Sequence, residues 1–126
     1  MTTELEPAFV EDCPYGPEGM LIDKILEVDV ERSRIVARMP SHEDLPITRT
    51  QKVHPLRHPR HVSGGLMVHA TGIVGFAHAY YILGLRHADG WIGYGASIHH
   101  ARFHALAVPG EPIVIECTAS RMRRGE

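Results

Sequence analysis

Charged residues stop at Val62 and do not return until Arg86. The run VSGGLMVHATGIVGFAHAYYILGL, Val62 to Leu85, holds no Asp, Glu, Lys or Arg, in a chain that is 22% charged. Within it Leu66, Ala70, Ile73, Ala77, Tyr80 and Leu83 recur at helical spacing and predict one buried stripe. A helix over about Gly65–Leu85 follows, uncharged on every face and therefore expected to be enclosed by protein on nearly all sides. Five glycines and the polar His69, Thr71, His78, Tyr80 and Tyr81 dilute the run, and no Lys/Arg cluster marks one flank, which argues against a membrane span.

The flanking pattern is that of strands. Met20–Val30 (MLIDKILEVDV) and Ile35–Met39 (IVARM) read as two strands joined by the polar break Glu31–Arg34, hence a hairpin. Trp91–Leu106 reads as one long strand, bulged near Gly93 and Gly95, followed by the turn Val108–Glu111. Ile113–Met122 is another strand, with Ile113, Ile115, Cys117 and Ala119 on one side and Glu116, Thr118 and Ser120 on the other. Met1–Gly19, with Pro7, Pro14 and Pro17, is a loop or loosely held arm, and Pro40–Ser63 is irregular. A turn follows at Arg123–Glu126 without its partner strand. Either the chain is cut short or the sheet borrows an edge, and an exposed last strand is prone to association. The order is two strands, a helix and two strands: an α+β domain over residues 20–126 behind an arm of residues 1–19.

Bulk properties narrow the partners. One domain fits 126 residues, and a net charge of -2 gives no electrostatic case for nucleic acid or an anionic membrane. Arg121, Arg123 and Arg124 read as a solvated strand end. Two cysteines, Cys13 and Cys117, in an acidic chain are read as reduced thiols, and the acidic Met1–Asp12 lacks the pattern of a secretory signal, so a cytoplasmic location is expected.

Three segments carry a resemblance. Met20–Met39, the uncharged helix, and ARFHALAVPGEPIVIECTASRMRRG from Ala101 to Gly125 are similar to the 3-hydroxyacyl-acyl-carrier-protein dehydratases, members of the hotdog-fold superfamily, with related hotdog thioesterases as second choice. The resemblance implies a curved antiparallel sheet wrapped round one central helix. It also implies a homodimer with its site at the subunit interface and a substrate that is an acyl thioester of acyl carrier protein or coenzyme A, as in fatty-acid metabolism. It implies that His58, in His58-Pro59, is the base, and that Gly65 at the helix start offers its N–H to the thioester carbonyl. Gly64 stands where the family has Pro. The family's helix carboxylate falls on Ala70, or on Gly72 in the thioesterase alignment, so no acid is present.

That absence bears on chemistry. Dehydration needs a group to protonate the leaving hydroxyl, whereas thioester hydrolysis needs an activated water and an oxyanion hole. Histidine is the remaining side chain that titrates near neutrality, and His61, His69, His99 and His100 are candidates, with His61 and His69 the two carried beside His58. His69 and His78 are also read as core histidines satisfied by hydrogen bonds. His54, His58 and His61 lie at spacings a metal could use, with His99, His100 and His104 as further donors. No Cys or carboxylate accompanies them in an established pattern, so neither metal nor cofactor is expected. Three functions remain open: a dehydratase-like acyl-thioester protein, an acyl thioesterase, or a non-catalytic acyl-binding subunit.

Overall fold

A computed structural model describes residues 3–121. Four strands, β1 (Thr3–Glu4), β2 (Lys24–Asp29), β3 (Arg34–Met39) and β4 (Ile113–Thr118), form one antiparallel sheet in that order. Two short helices, α1 (Pro7–Asp12) and α2 (Pro17–Met20), precede the hairpin, and α3 (Gly64–Tyr81) is the single long helix. The architecture is α+β, a sheet with one long helix, compatible with a hotdog-like fold.

Alternation along β3 sorts its residues between two faces. Ile35, Ala37 and Met39 are sealed against α3, while Arg34 and Arg38 point the other way. From the helix come Leu66, Ala70, Ile73, Val74 and Ala77, all buried as the helical spacing requires. Leu66, Ile73 and Val74 each contribute roughly 1.5–3 kcal/mol by leaving water, and each alanine methyl roughly 0.8 kcal/mol. On the opposite face Arg34 reaches Glu27 on β2 and, at 2.9 Å, Glu116 on β4, and Arg38 makes a paired contact with Asp23 at 3.0 and 2.6 Å. A bulge between Ile25 and Glu27 leaves Leu26 without an opposite residue on β3.

Ser63 caps α3 by accepting the Leu66 N–H at 3.1 Å. The helix ends earlier than its uncharged run: Leu85 N–H turns back to the Ala79 carbonyl, and Gly84, at φ +69°, reverses the chain. Nor is α3 enclosed. Gly65, Thr71, Gly72 and Gly75 are exposed, because glycine adds so little apolar surface that an uncharged face can still meet water. No helix among the described residues is long and apolar enough to cross a membrane.

Two further expectations change. The first residues are not a loose arm. Phe9 is fully buried, its ring 5.2–5.4 Å from those of Phe76, Tyr80 and Tyr81. Tyr80 donates its hydroxyl to Glu6 at 3.0 Å, Glu6 N–H donates to the Tyr81 oxygen at 2.9 Å, and the Asp12 carboxylate accepts the N–H groups of His87 and Ala88. Burial, aided by Glu6, pushes the Tyr80 phenol up. Conversely, Trp91–Leu106 forms no strand, and every residue in it is exposed. A strand requires a partner ladder, and none of the described residues supplies one; Gly93 and Gly95 weaken the segment further. It is pinned at its end, where Val62 N–H donates to the Ala107 carbonyl at 2.9 Å. β4 is shorter than expected at its end, and Met122 and the turn Arg123–Glu126 lie outside the described residues.

Candidate functional site

On α3, His69, Gly72, Phe76 and Ala79 recur every three or four residues on a face turned away from the sheet. Small residues at 72, 75 and 79 leave a trough along that face. Pro14 and Tyr15 wall one side, and the chain leaving the helix, Leu85–His87 and Trp91–Gly95, walls the other. The result is a groove of about 640 Å³ with a mainly apolar lining and no carboxylate among the described residues that form it.

Two imidazoles project along it, and both are held. His69 Nε2 lies 2.7 Å from the Gly19 carbonyl oxygen. A carbonyl only accepts, so Nε2 carries the proton and Nδ1 of the neutral ring keeps its lone pair. Tyr15 packs its ring edge-on against His69 at 4.6 Å. The Gly19 carbonyl is presented by a tight bend in which Leu21 adopts φ 64° and Ile22 N–H reaches the Met20 carbonyl. His87 donates Nδ1–H to the Asp12 carbonyl at 2.9 Å and lies on Phe76, ring centroids 4.9 Å apart. Arg86 is committed elsewhere: its guanidinium sits 3.4 Å from the centre of the Tyr80 ring and donates to the Tyr80 carbonyl.

Of the site residues expected from the sequence, His69 alone lines this groove. His58 and His61 face a shallower depression with Gln51, Lys52 and Pro59. There the backbones of His54 and His58 pair, His58 Nδ1 donates to the Lys52 carbonyl at 2.7 Å, and His61 Nδ1 donates to the Pro59 carbonyl at 2.9 Å. Gly64 lies under the Phe103 ring, so close that a Cβ would stand 3.0 Å from its Cζ. Gly65 is open, with nothing within 4 Å of where a Cβ would stand. Ala70, where the family's carboxylate falls, is fully buried against the sheet side, whereas Gly72 lies on the groove floor. No group of three or more His, Cys, Asp or Glu placed to hold a metal occurs among the described residues.

His78 matches the core reading. It is buried, with Nε2 2.9 Å from Ser33 Oγ and 3.0 Å from the Ser33 carbonyl, and so ties α3 to the β2–β3 turn, where Ser33 itself adopts φ 52°. Cys117 is half-buried, and that burial pushes its thiol up, away from nucleophilic character. The residues missed by sequence reasoning are the groove walls, Tyr15, Phe76, His87 and Trp91–Gly95. The three-four spacing of His69, Gly72, Phe76 and Ala79 was the available signal, on the side of the helix opposite the large aliphatics.

No family model matches the chain.

Proposed function

We propose that the protein binds acyl thioesters, with the acyl group lying in the groove along α3. One observation carries this: a mainly apolar groove whose volume falls within the usual range of small-molecule sites, roughly 300–1,000 Å³, furnished with few polar groups. The similarity of three segments to the 3-hydroxyacyl-acyl-carrier-protein dehydratases supports the same substrate class, on either acyl carrier protein or coenzyme A. Dehydration itself is disfavoured, since the groove holds no carboxylate to protonate a leaving hydroxyl.

A second reading, thioester hydrolysis, has its own support. The Gly19 carbonyl orients His69 as a carbonyl or carboxylate orients a general base, leaving Nδ1 able to take a proton from water. On this reading His69 replaces His58 as the base. A cytoplasmic homodimer, in which a second copy covers the free edge of β4, completes the proposal.

The test is calorimetric titration with nonanoyl-pantetheine, alongside assays for released thiol and for enoyl product. Gly72→Leu places a side chain in the groove at an exposed position with nothing within 4 Å of its Cβ, so the fold is undisturbed. Affinity should fall at least tenfold, about 1.4 kcal/mol, with the melting temperature unchanged or raised, since leucine favours a helix over glycine. Equal affinity in the variant would show that the groove is not the site. Thiol release abolished by His69→Gln but not by His58→Ala would support hydrolysis; the reverse pattern would return the base to His58.

A further inference from the structure

The chain has eight aromatic residues, one Trp, four Tyr and three Phe, and four of them, Tyr15, Phe76, Trp91 and Tyr94, line this one groove. The imidazoles of His69 and His87 add two more flat rings. Interspersed with them are Gly72 and Gly75 on the helix and Gly93 and Gly95 on the outer wall. At none of these four does a Cβ-sized probe meet anything within 4 Å. Rings and bare backbone thus share both walls, which leaves an open slot beside the aromatic faces. A tube for a straight saturated chain is more usually lined by branched aliphatics, and among the described residues Ile73, Leu85 and Ile92 are the ones that line this groove.

The rings are also available. Trp91 is half exposed, Tyr94 is almost fully exposed, and among the described residues neither stacks on another ring. Phe76 and His87, by contrast, already stack on each other. Two unpartnered rings beside an open slot are surfaces on which a planar group gains offset or edge-on contacts beyond simple burial.

Accepting the acyl-thioester reading above, on which this step rests, we infer that the acyl group selected by the groove is planar and ring-bearing, an arylacyl thioester rather than a straight saturated one. The adenine of coenzyme A is the competing planar occupant. Its phosphates would require a free cation nearby, and Arg86, the one Lys or Arg among the described lining residues, is already held by Tyr80.

The experiment compares 3-phenylpropanoyl-pantetheine with nonanoyl-pantetheine. The two acyl groups have equal carbon counts, and pantetheine carries no adenine. Free coenzyme A is the third probe. Binding to the full chain is measured by calorimetry, and Trp91, the only tryptophan, reports by its fluorescence. The arylacyl compound should bind about tenfold tighter, on the scale of one or two ring contacts, and should quench Trp91. Trp91→Leu should lower arylacyl affinity about tenfold and nonanoyl affinity by less, so that the preference is lost; an equal loss for both compounds overturns the inference. Nonanoyl binding as tight as or tighter than arylacyl overturns the inference and leaves the acyl-thioester reading standing. Free coenzyme A binding as tightly as the arylacyl compound also overturns it, because the rings would then be holding adenine. Binding of neither thioester sinks the acyl-thioester reading and this inference together.

Discussion

The β2–β3 hairpin, rich in Ile and Val, and the stretch from Trp91 to Leu106, with Trp, Tyr, Phe and two Ile, both read as strands. In the hairpin, Ile25, Ile35, Ala37 and Met39 are sealed from water, whereas every residue from Trp91 to Leu106 is exposed. Two glycines weaken the second, and the larger difference lies in their partners. β3 has a ladder on each side, with β2 and with β4, and α3 across its inner face. The later stretch has neither ladder nor cover and touches the body at points such as Ala107 on Val62 and Phe103 on Gly64. A strand-like sequence states a capacity, and the neighbouring edge decides whether it is used.

The comparison can be broken most forcefully at the arm. Phe9→Ala should lower stability by about 3–5 kcal/mol, because a fully buried ring leaves a cavity; a urea melt showing a loss below about 1 kcal/mol would mean the arm is not part of the core. Next, His78→Ala removes the buried link to Ser33 and should cost about 1–3 kcal/mol, read in the same melts.

The Asp23–Arg38 pair sharpens the picture through pH. The Arg38 guanidinium holds the Asp23 carboxyl below its usual range. Its folded-state pKa is therefore depressed. The stabilisation is present above the ordinary carboxylate value of about 4 and is lost as pH falls through the lower folded value. Asp23→Asn should be less stable than the parent at pH 7 by under about 1 kcal/mol, since the pair is partly exposed, and the gap should close in melts taken at progressively lower acid pH. Smallest of all, Ile98→Ser in the exposed stretch should change stability by no more than about 0.5 kcal/mol, and its amides should exchange with solvent while those of β3 stay protected. A larger loss would show that Trp91–Leu106 buries surface after all.

What was legible in the sequence was local. The hairpin, the alternation of β4 and the buried stripe of α3 follow from periods of two and 3.6, which neighbouring residues set among themselves. The fate of Phe9 was not legible, because its partners Phe76, Tyr80 and Tyr81 lie far along the chain and a proline-rich start gives no period to read. The site was half legible. His69 stood out as a polar residue in an uncharged helix, but its anchor, the Gly19 carbonyl, is a backbone atom that no residue type announces. His58 drew attention by motif, and its ring is turned to Lys52 in a separate depression. An absence of charge predicts enclosure on nearly all sides, whereas glycine leaves one face of α3 bare instead.

The register of β3 on β4 has a consequence in time. Arg34 lies opposite Thr118 and Met39 opposite Ile113, so each rung closes a loop containing most of the chain, including the whole of α3. Closing so long a loop carries an entropic cost that a hairpin or an isolated helix avoids. The β2–β3 hairpin and α3 can therefore form as soon as their own residues are available, while the β3–β4 ladder waits for the chain as far as Thr118. During synthesis, Ile35, Ala37 and Met39 would be held against α3 with one edge of β3 still open, and β4 would be the element that commits the chain to its final arrangement.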